Sequence, residues 1–175
     1  FLGISGADEA WRFAREVGYP LVLKPLAGAA SQSTYRVMSD EELDRDLALV
    51  APSPKTPAII EEFVTGQESS FETMTLGGVP LWHSWTHYNP TPLQAMENPR
   101  IQWRVVLPND QNDPKYDDIR KVNDRALAAL GMDTGLTHLE WFRRNDGSLA
   151  VGEVAARPPG AQITTLISRA HEVDF

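Results

Sequence analysis

"HLEWFRRNDGSLAVGEVAARPPG", His138 to Gly160, reads as two strands joined by a tight turn. Asp146-Gly147 suits a two-residue hairpin turn, because Gly and Asp accept positive φ cheaply. With that turn, Phe142 faces Val151, Trp141 faces Gly152 and Glu140 faces Glu153. Carboxylates directly opposite on one face of a ladder repel, by up to ~1 kcal/mol. The pairing makes sense if a hard divalent cation sits between them, since Mg2+ takes one or two carboxylates together with phosphate oxygens. Two plainer explanations stay open at this point. The register could be one residue out, or Arg157, on the face of Glu153, could neutralise the pair.

Upstream of the hairpin the pattern alternates helix and strand. Residues 5–18 suit a helix, with Ser5 and Asp8 at capping-box spacing, Ala10, Phe13, Ala14 and Val17 on one face, and Gly18 as the stop. Tyr19–Leu26, "YPLVLKPL", is a strand in which Lys24 alternates with Val22 while Leu21 and Leu23 face the other way. Residues 27–33 form a small-residue loop. "YRVM" is a short strand. Ser39 and Glu42 open a second helix, with Leu43, Leu47 and Val50 inward. "AIIEEFV" is a strand that "TGQ" breaks.

Beyond Glu68 the chain becomes richer in strands. "SSFETMTLGGVPLWHSWTHY" is a hairpin about Gly77-Gly78. "NPTPLQAMENP" is irregular and "IQWRVVLP" is a strand. Asp113-Pro114 starts a helix with Ile119, Val122, Ala126 and Leu130 inward, ended by Gly131. A last helix spans about Gly160 to Ala170. The order predicts an α+β fold in two lobes, residues 1–64 and 65–175, with mostly antiparallel sheet and a break near Glu61–Gly66. Both ends read as cut, from "FLGIS" to "HEVDF", so a fragment of a longer chain is expected.

Composition narrows the classes. The 175 residues are 42% hydrophobic and 23% charged, which suits a globular chain. A net charge of −8 argues against a nucleic-acid binder, since phosphate neutralisation needs a basic surface. No cysteine is present, so disulfides and thiolate metal sites are excluded. No apolar run approaches the about 18 residues of a membrane helix, and no secretory signal is visible, so no membrane partner is expected and the cytoplasm is the default compartment.

Three clusters can carry chemistry. Lys24, at a strand end before a small-residue loop, can hold phosphate by its charge plus backbone N–H groups; the bland alternative is a surface lysine. Glu61, Glu62, Glu68 and Glu72 crowd one strand-rich region, with Glu68 and Glu72 on one face; alone, such carboxylates are more often solvated. Glu140 and Glu153 are the third. His83, His87 and His138 each suit packing or a polar network better than ligation. "WHSWTHY" could line a substrate pocket, and the region Trp82–Trp103 is where one is expected.

Taken in order, "GYPLVLKPLAGAASQST", "AIIEEFVTGQESSFE" and the hairpin resemble the ATP-grasp superfamily, in its carboxylate–amine ligase and carbamoyl-phosphate-synthase-like branch. The resemblance covers essentially the whole chain. It implies the ATP-grasp fold, incomplete at both ends, in which two α/β lobes grip ATP. It implies that Lys24 holds the nucleotide phosphates and that the loop 27–33, with Gly28, Ser31 and Ser33, closes over them. Glu61, Glu62 and Val64 match the hinge that meets adenine, and Glu68 the acidic residue on the ribose hydroxyls. Glu140 and Glu153 match the carboxylates that hold Mg2+ (or Mn2+), and Arg157 the arginine that steadies an acyl-phosphate or the acceptor carboxylate.

The implied function is an ADP-forming ligase that activates a small carboxylate as acyl-phosphate for attack by an amine. Alternatives are a biotin-carboxylase-like enzyme that activates bicarbonate, and a nucleotide-binding module without catalysis. A homodimer is left open. Where the family usually has Glu-x-Asn-x-Arg, this chain has Glu153-Val154-Ala155-Ala156-Arg157. Ala155 cannot ligate a metal, so one ion is held more weakly or only one of the usual two is bound well. The loop is also poorer in glycine than usual, since Ala27, Ala29 and Ala30 restrict positive φ.

Overall fold

Leu2–Ile4 forms a strand, β1, that periodicity does not disclose, because three residues are too few for an alternation. The computed structural model describes residues 1–26, 34–98 and 100–174. Gly28, Ser31 and Ser33 therefore lie outside the described residues. The chain divides into two units, Phe1–Val64 and Thr65–Phe175.

In the first unit β1 is followed by α1 (Ala7–Val17), β2 (Leu21–Pro25), β3 (Tyr35–Val37), α2 (Asp40–Val50) and β4 (Ala58–Glu62). The sheet order is β1-β4-β2-β3, and every pairing is antiparallel. Leu21, Leu23, Ile60 and Leu43 are fully buried and form its core. The capping box expected at Ser5 and Asp8 does not form. Gly6 is the N-cap, and Glu9 reaches back to accept from the Ser5 N–H. Ala10 and Ala14 are inward as expected, but Val17, on the last turn before Gly18, is 43% exposed.

The second helix starts as predicted, with Ser39 Oγ accepting from the Glu42 N–H at 3.3 Å. Glu42 reaches one residue further back than a capping box requires and accepts from Met38 N–H at 2.7 Å. Ser39→Ala is therefore expected to cost about 1 kcal/mol of stability, read by urea denaturation. An unchanged midpoint would mean that the cap is idle.

The second unit contains β5 (Gln67–Leu76), β6 (Val79–Asn89), α3 (Pro92–Glu97), β7 (Arg104–Val106), a 3-10 turn (Pro114–Tyr116), α4 (Asp117–Ala129), β8 (Gly135–Arg143), β9 (Leu149–Ala155) and α5 (Ile163–His171). Gly77 and Gly78 turn the first hairpin with φ of 57° and 75°. The stretch read as irregular hides α3, capped reciprocally by Thr91 and Gln94. Six residues are too short to show a period. Asp113 caps the 3-10 turn by accepting from Lys115 N–H. On α4, Ile119 is buried and Val122 and Ala126 pack inward. The inward position expected for Leu130 belongs instead to Leu127, while Leu130, at the C-cap, is exposed.

The second sheet runs β7-β6-β5-β8-β9, again antiparallel throughout. Phe71, Trp85, Leu139 and Trp141 line the face that packs on Ile119 and Tyr116. Residues directly opposite in a ladder share a face. Ser70 pairs with Glu140, Glu72 with His138 and Glu140 with Glu153, so the other face carries the acidic side chains. The fold is α+β in both units, as expected.

The opening hairpin has a different turn from the one read in the sequence. Gly147 N–H donates to Arg144 O, and Arg144 N–H donates to Ser148 O, both at 2.9 Å. The loop is thus Asn145-Asp146-Gly147, with Gly147 at φ 85°. The longer turn shifts the nearby register by one residue: Phe142 faces Ala150 and Trp141 faces Val151. A bulge then follows between Glu140 and Trp141, and it takes up Gly152. Beyond it, Glu140 faces Glu153 after all. A Cβ on Gly152 would lie 3.2 Å from the Phe142 ring and 3.4 Å from Glu140 O, so glycine suits the bulge.

Candidate functional site

Lys24 lies on the outer side of β2, opposite Ile59 in the ladder, while Leu21 and Leu23 fill the core on the other side. Glu61, on β4, pairs with Val22, so it stands diagonally across from Lys24. The ammonium and the carboxylate form an ion pair at 3.1 Å, each side chain 23% exposed. A partly solvated pair of this kind contributes little to stability. An anionic ligand can therefore compete for Lys24 at small cost. Glu62 is exposed and Val64 half-buried at the end of the same segment. The backbone N–H of Phe63 is bound to Pro20 O, and the Arg36 guanidinium lies 4.4 Å from the Phe63 ring centroid.

The acidic face of the second sheet is built by strand alternation. Glu68 is buried, at 7% exposure, and Glu72 is completely buried. Solvent is the ordinary place for strand glutamates, so both depart from the expectation drawn from sequence. Burial pushes the Glu68 carboxyl up to about 8, helped by the Glu140 charge. Glu72 instead has charged company. His138 Nδ1 lies 2.8 Å from Glu72 Oε1, and His138 Nε2 lies 3.3 Å from Glu140 Oε1. Burial alone would lower the imidazole pKa, but the hydrogen bonds to Glu140 and Glu72 and their charges outweigh it and raise it to about 9.

His138 thus takes the polar-network role, one of the two its sequence reading allowed, and its partners Glu72 and Glu140 are what that reading did not name. The signal was present in the spacing: His138 sits two residues before Glu140, and Glu72 four after Glu68. Both offsets are even and place the side chains on one sheet face.

Glu153 is exposed at the outer strand, opposite the partly buried Glu140. The one-residue slip considered for this pair is absent. Arg157 lies beyond the end of β9, exposed, with Nη1 donating to Pro158 O at 3.0 Å. Ala155 faces His138. Among the described residues no group of three or more His, Asp or Glu side chains is arranged to hold a metal ion by itself. The pair offers two hard oxygen donors, which fits Mg2+ or Mn2+ arriving with further oxygens from a phosphate ligand. Among the described residues, no helix is long and apolar enough to cross a membrane.

Comparison with known proteins agrees on one family. Residues 1–172 match the model of the ATP-grasp domain. The L-arginine-specific L-amino acid ligase of Bacillus subtilis is 26% identical over 180 residues, covering 100% of this chain and 43% of that protein. The D-alanine–D-alanine ligase of Pediococcus pentosaceus is 28% identical over 162 residues, covering 88% of this chain and 43% of that protein. The crystal structure of the L-amino acid ligase from Bacillus licheniformis superposes with a TM-score of 0.71 at 24% identity, covering 95% of this chain and 38% of that one. The chain spans less than half the length of these relatives.

Proposed function

This chain belongs to the ATP-grasp family, and on that premise we propose that the full protein is an ADP-forming ligase joining a carboxylate to an amine. The observation that carries the reading is the opposed pair Glu140 and Glu153. It sits on a sheet face that concentrates carboxylates while the first unit offers Lys24. The names of the two amino acid ligases support amino acids as the class for both substrates.

In this reading the carboxylate oxygen of one substrate attacks the γ-phosphorus of ATP, the bond to the β-phosphate oxygen breaks, and ADP leaves. The amine nitrogen of the second substrate then attacks the acyl carbon, phosphate leaves, and the nitrogen loses a proton. Lys24 gives up Glu61 for the nucleotide phosphates. Glu61, Glu62 and Val64 meet the adenine, and Glu68 the ribose hydroxyls. Glu140 and Glu153 hold Mg2+ or Mn2+, which when bound screens the triphosphate charge. Arg157 steadies the acyl-phosphate. The loop residues Gly28, Ser31 and Ser33 belong to the same proposal. The protein's own contribution is placement and fixed charge rather than covalent chemistry.

The test is a panel of carboxylates and amines, with amino acids first, given to the full-length protein with ATP and Mg2+. Substrate-dependent ADP release is expected. AMP release would contradict the acyl-phosphate route. Turnover with bicarbonate and biotin alone would move the enzyme to the bicarbonate-activating class.

A further inference from the structure

We propose that Glu72 and His138 form a buried relay that positions Glu140 for its cation, with His138 a positioning residue and not a ligand. The inference rests on the reading of Glu140 as a metal ligand.

The geometry is a polar row that crosses three strands. Ser84 on β6 pairs directly with Glu72 on β5, and Glu72 pairs directly with His138 on β8. Ser84 Oγ lies 3.4 Å from Glu72 Oε2, and the other oxygen of Glu72 lies 2.8 Å from His138 Nδ1. The far ring nitrogen of His138 then reaches Glu140 Oε1 at 3.3 Å. A carboxylate oxygen thus lies within hydrogen-bond reach of each ring nitrogen. The ring is held at each end, and with it the carboxylate of Glu140.

Glu72 is the anchor of the row: its side chain is completely buried, and a buried carboxylate that lost its hydrogen-bond partner would carry a large desolvation cost. Glu140 is the solvent-facing end of the row: its side chain is 33% exposed. Glu140 has Glu153 opposite it in the ladder. The contact to the His138 ring fixes the direction in which the carboxylate points. Partners behind the ligands of a metal site fix the ligands' orientation in the same way, and their loss typically costs 10–100-fold in affinity.

A purely structural role would have His138 hydrogen-bond Glu72 and nothing more. Metal affinity separates the two. Mn2+ binding to the full-length protein with a non-hydrolysable ATP analogue can be read by electron paramagnetic resonance. His138→Gln and Glu72→Gln are each expected to weaken Mn2+ about 10–100-fold, with analogue binding in EDTA unchanged. The double variant should be no weaker than His138→Gln alone, since both act through one hydrogen bond. Wild-type Mn2+ affinity in a folded His138→Gln overturns the relay. If that variant does not fold, Glu72→Gln decides, and wild-type affinity there overturns it equally. Glu140→Gln is the control. Undiminished Mn2+ binding in Glu140→Gln would remove the ligand reading itself, and with it the relay.

Discussion

Glu153→Gln is expected to abolish substrate-dependent ADP release in the full-length protein, by about 100-fold or more in kcat, while leaving the fold at least as stable as wild type. The loss of rate is of the size seen when one fixed electrostatic contact to developing charge is removed. The stability half follows from the ladder. Glu153 is exposed and directly opposite Glu140. Like charges so placed destabilise a sheet by a fraction of ~1 kcal/mol, and the amide removes one of them without changing shape. Loss of activity with a thermal midpoint equal to or above wild type is therefore the signature of a residue kept for a ligand. Wild-type turnover in this variant would sink the assignment. A lowered midpoint would mean that Glu153 has a structural partner instead.

Gly66→Ala should have the largest effect on stability, about 3 kcal/mol. Gly66 has φ 153°, a conformation that residues with a Cβ adopt rarely. Space is also lacking. A Cβ there would lie 2.8 Å from the carbonyl carbon of Arg143 and closer still to its oxygen. The obstacle is backbone, on the strand β8 that pairs with β5 at Gln67 and Arg143, so nothing flexible can yield. Urea denaturation should show a lower midpoint with an unchanged slope. A loss below about 0.5 kcal/mol, the range of an ordinary surface change, would show that the strand end adjusts freely.

Gly66 also illustrates what is legible in a sequence. "TGQ" announces that a strand stops, because glycine between polar residues breaks a pattern. It does not announce that the next strand's neighbour passes within contact of that glycine. The helix starts divide similarly. Ser39 caps α2 as its spacing foretells, whereas Ser5, with a similar spacing, yields to Glu9. A cap depends on which of several nearby acceptors the chain's path favours. Leu130 was expected inward because the apolar pattern runs on to Gly131, but it sits at the C-cap, where the helix has already ended, and is exposed.

The opposed carboxylates were readable for a partly accidental reason. A two-residue turn at Asp146-Gly147 places Glu140 against Glu153. The real loop is one residue longer, and the bulge at Gly152 restores the same pairing. Turn length depends on which residues close the loop, here Arg144 and Ser148, and a bulge depends on packing around the extra residue. Neither leaves a distinct mark in the alternation of side chains.

The α+β order, the strand faces of Lys24, Glu68, Glu72, His138 and Glu140, and the likeness to a family are legible in the order of residues. These depend on periods of 2 and 3.6 and on glycine stops, which are local. The burial of Glu72 and Glu68, the rest of Lys24 on Glu61, and the link from Glu72 through His138 to Glu140 come from packing in three dimensions. The Lys24–Glu61 and Glu72–His138 contacts bring together residues 37 and 66 positions apart, and whether a carboxylate meets water or an imidazolium is settled by what folds against it.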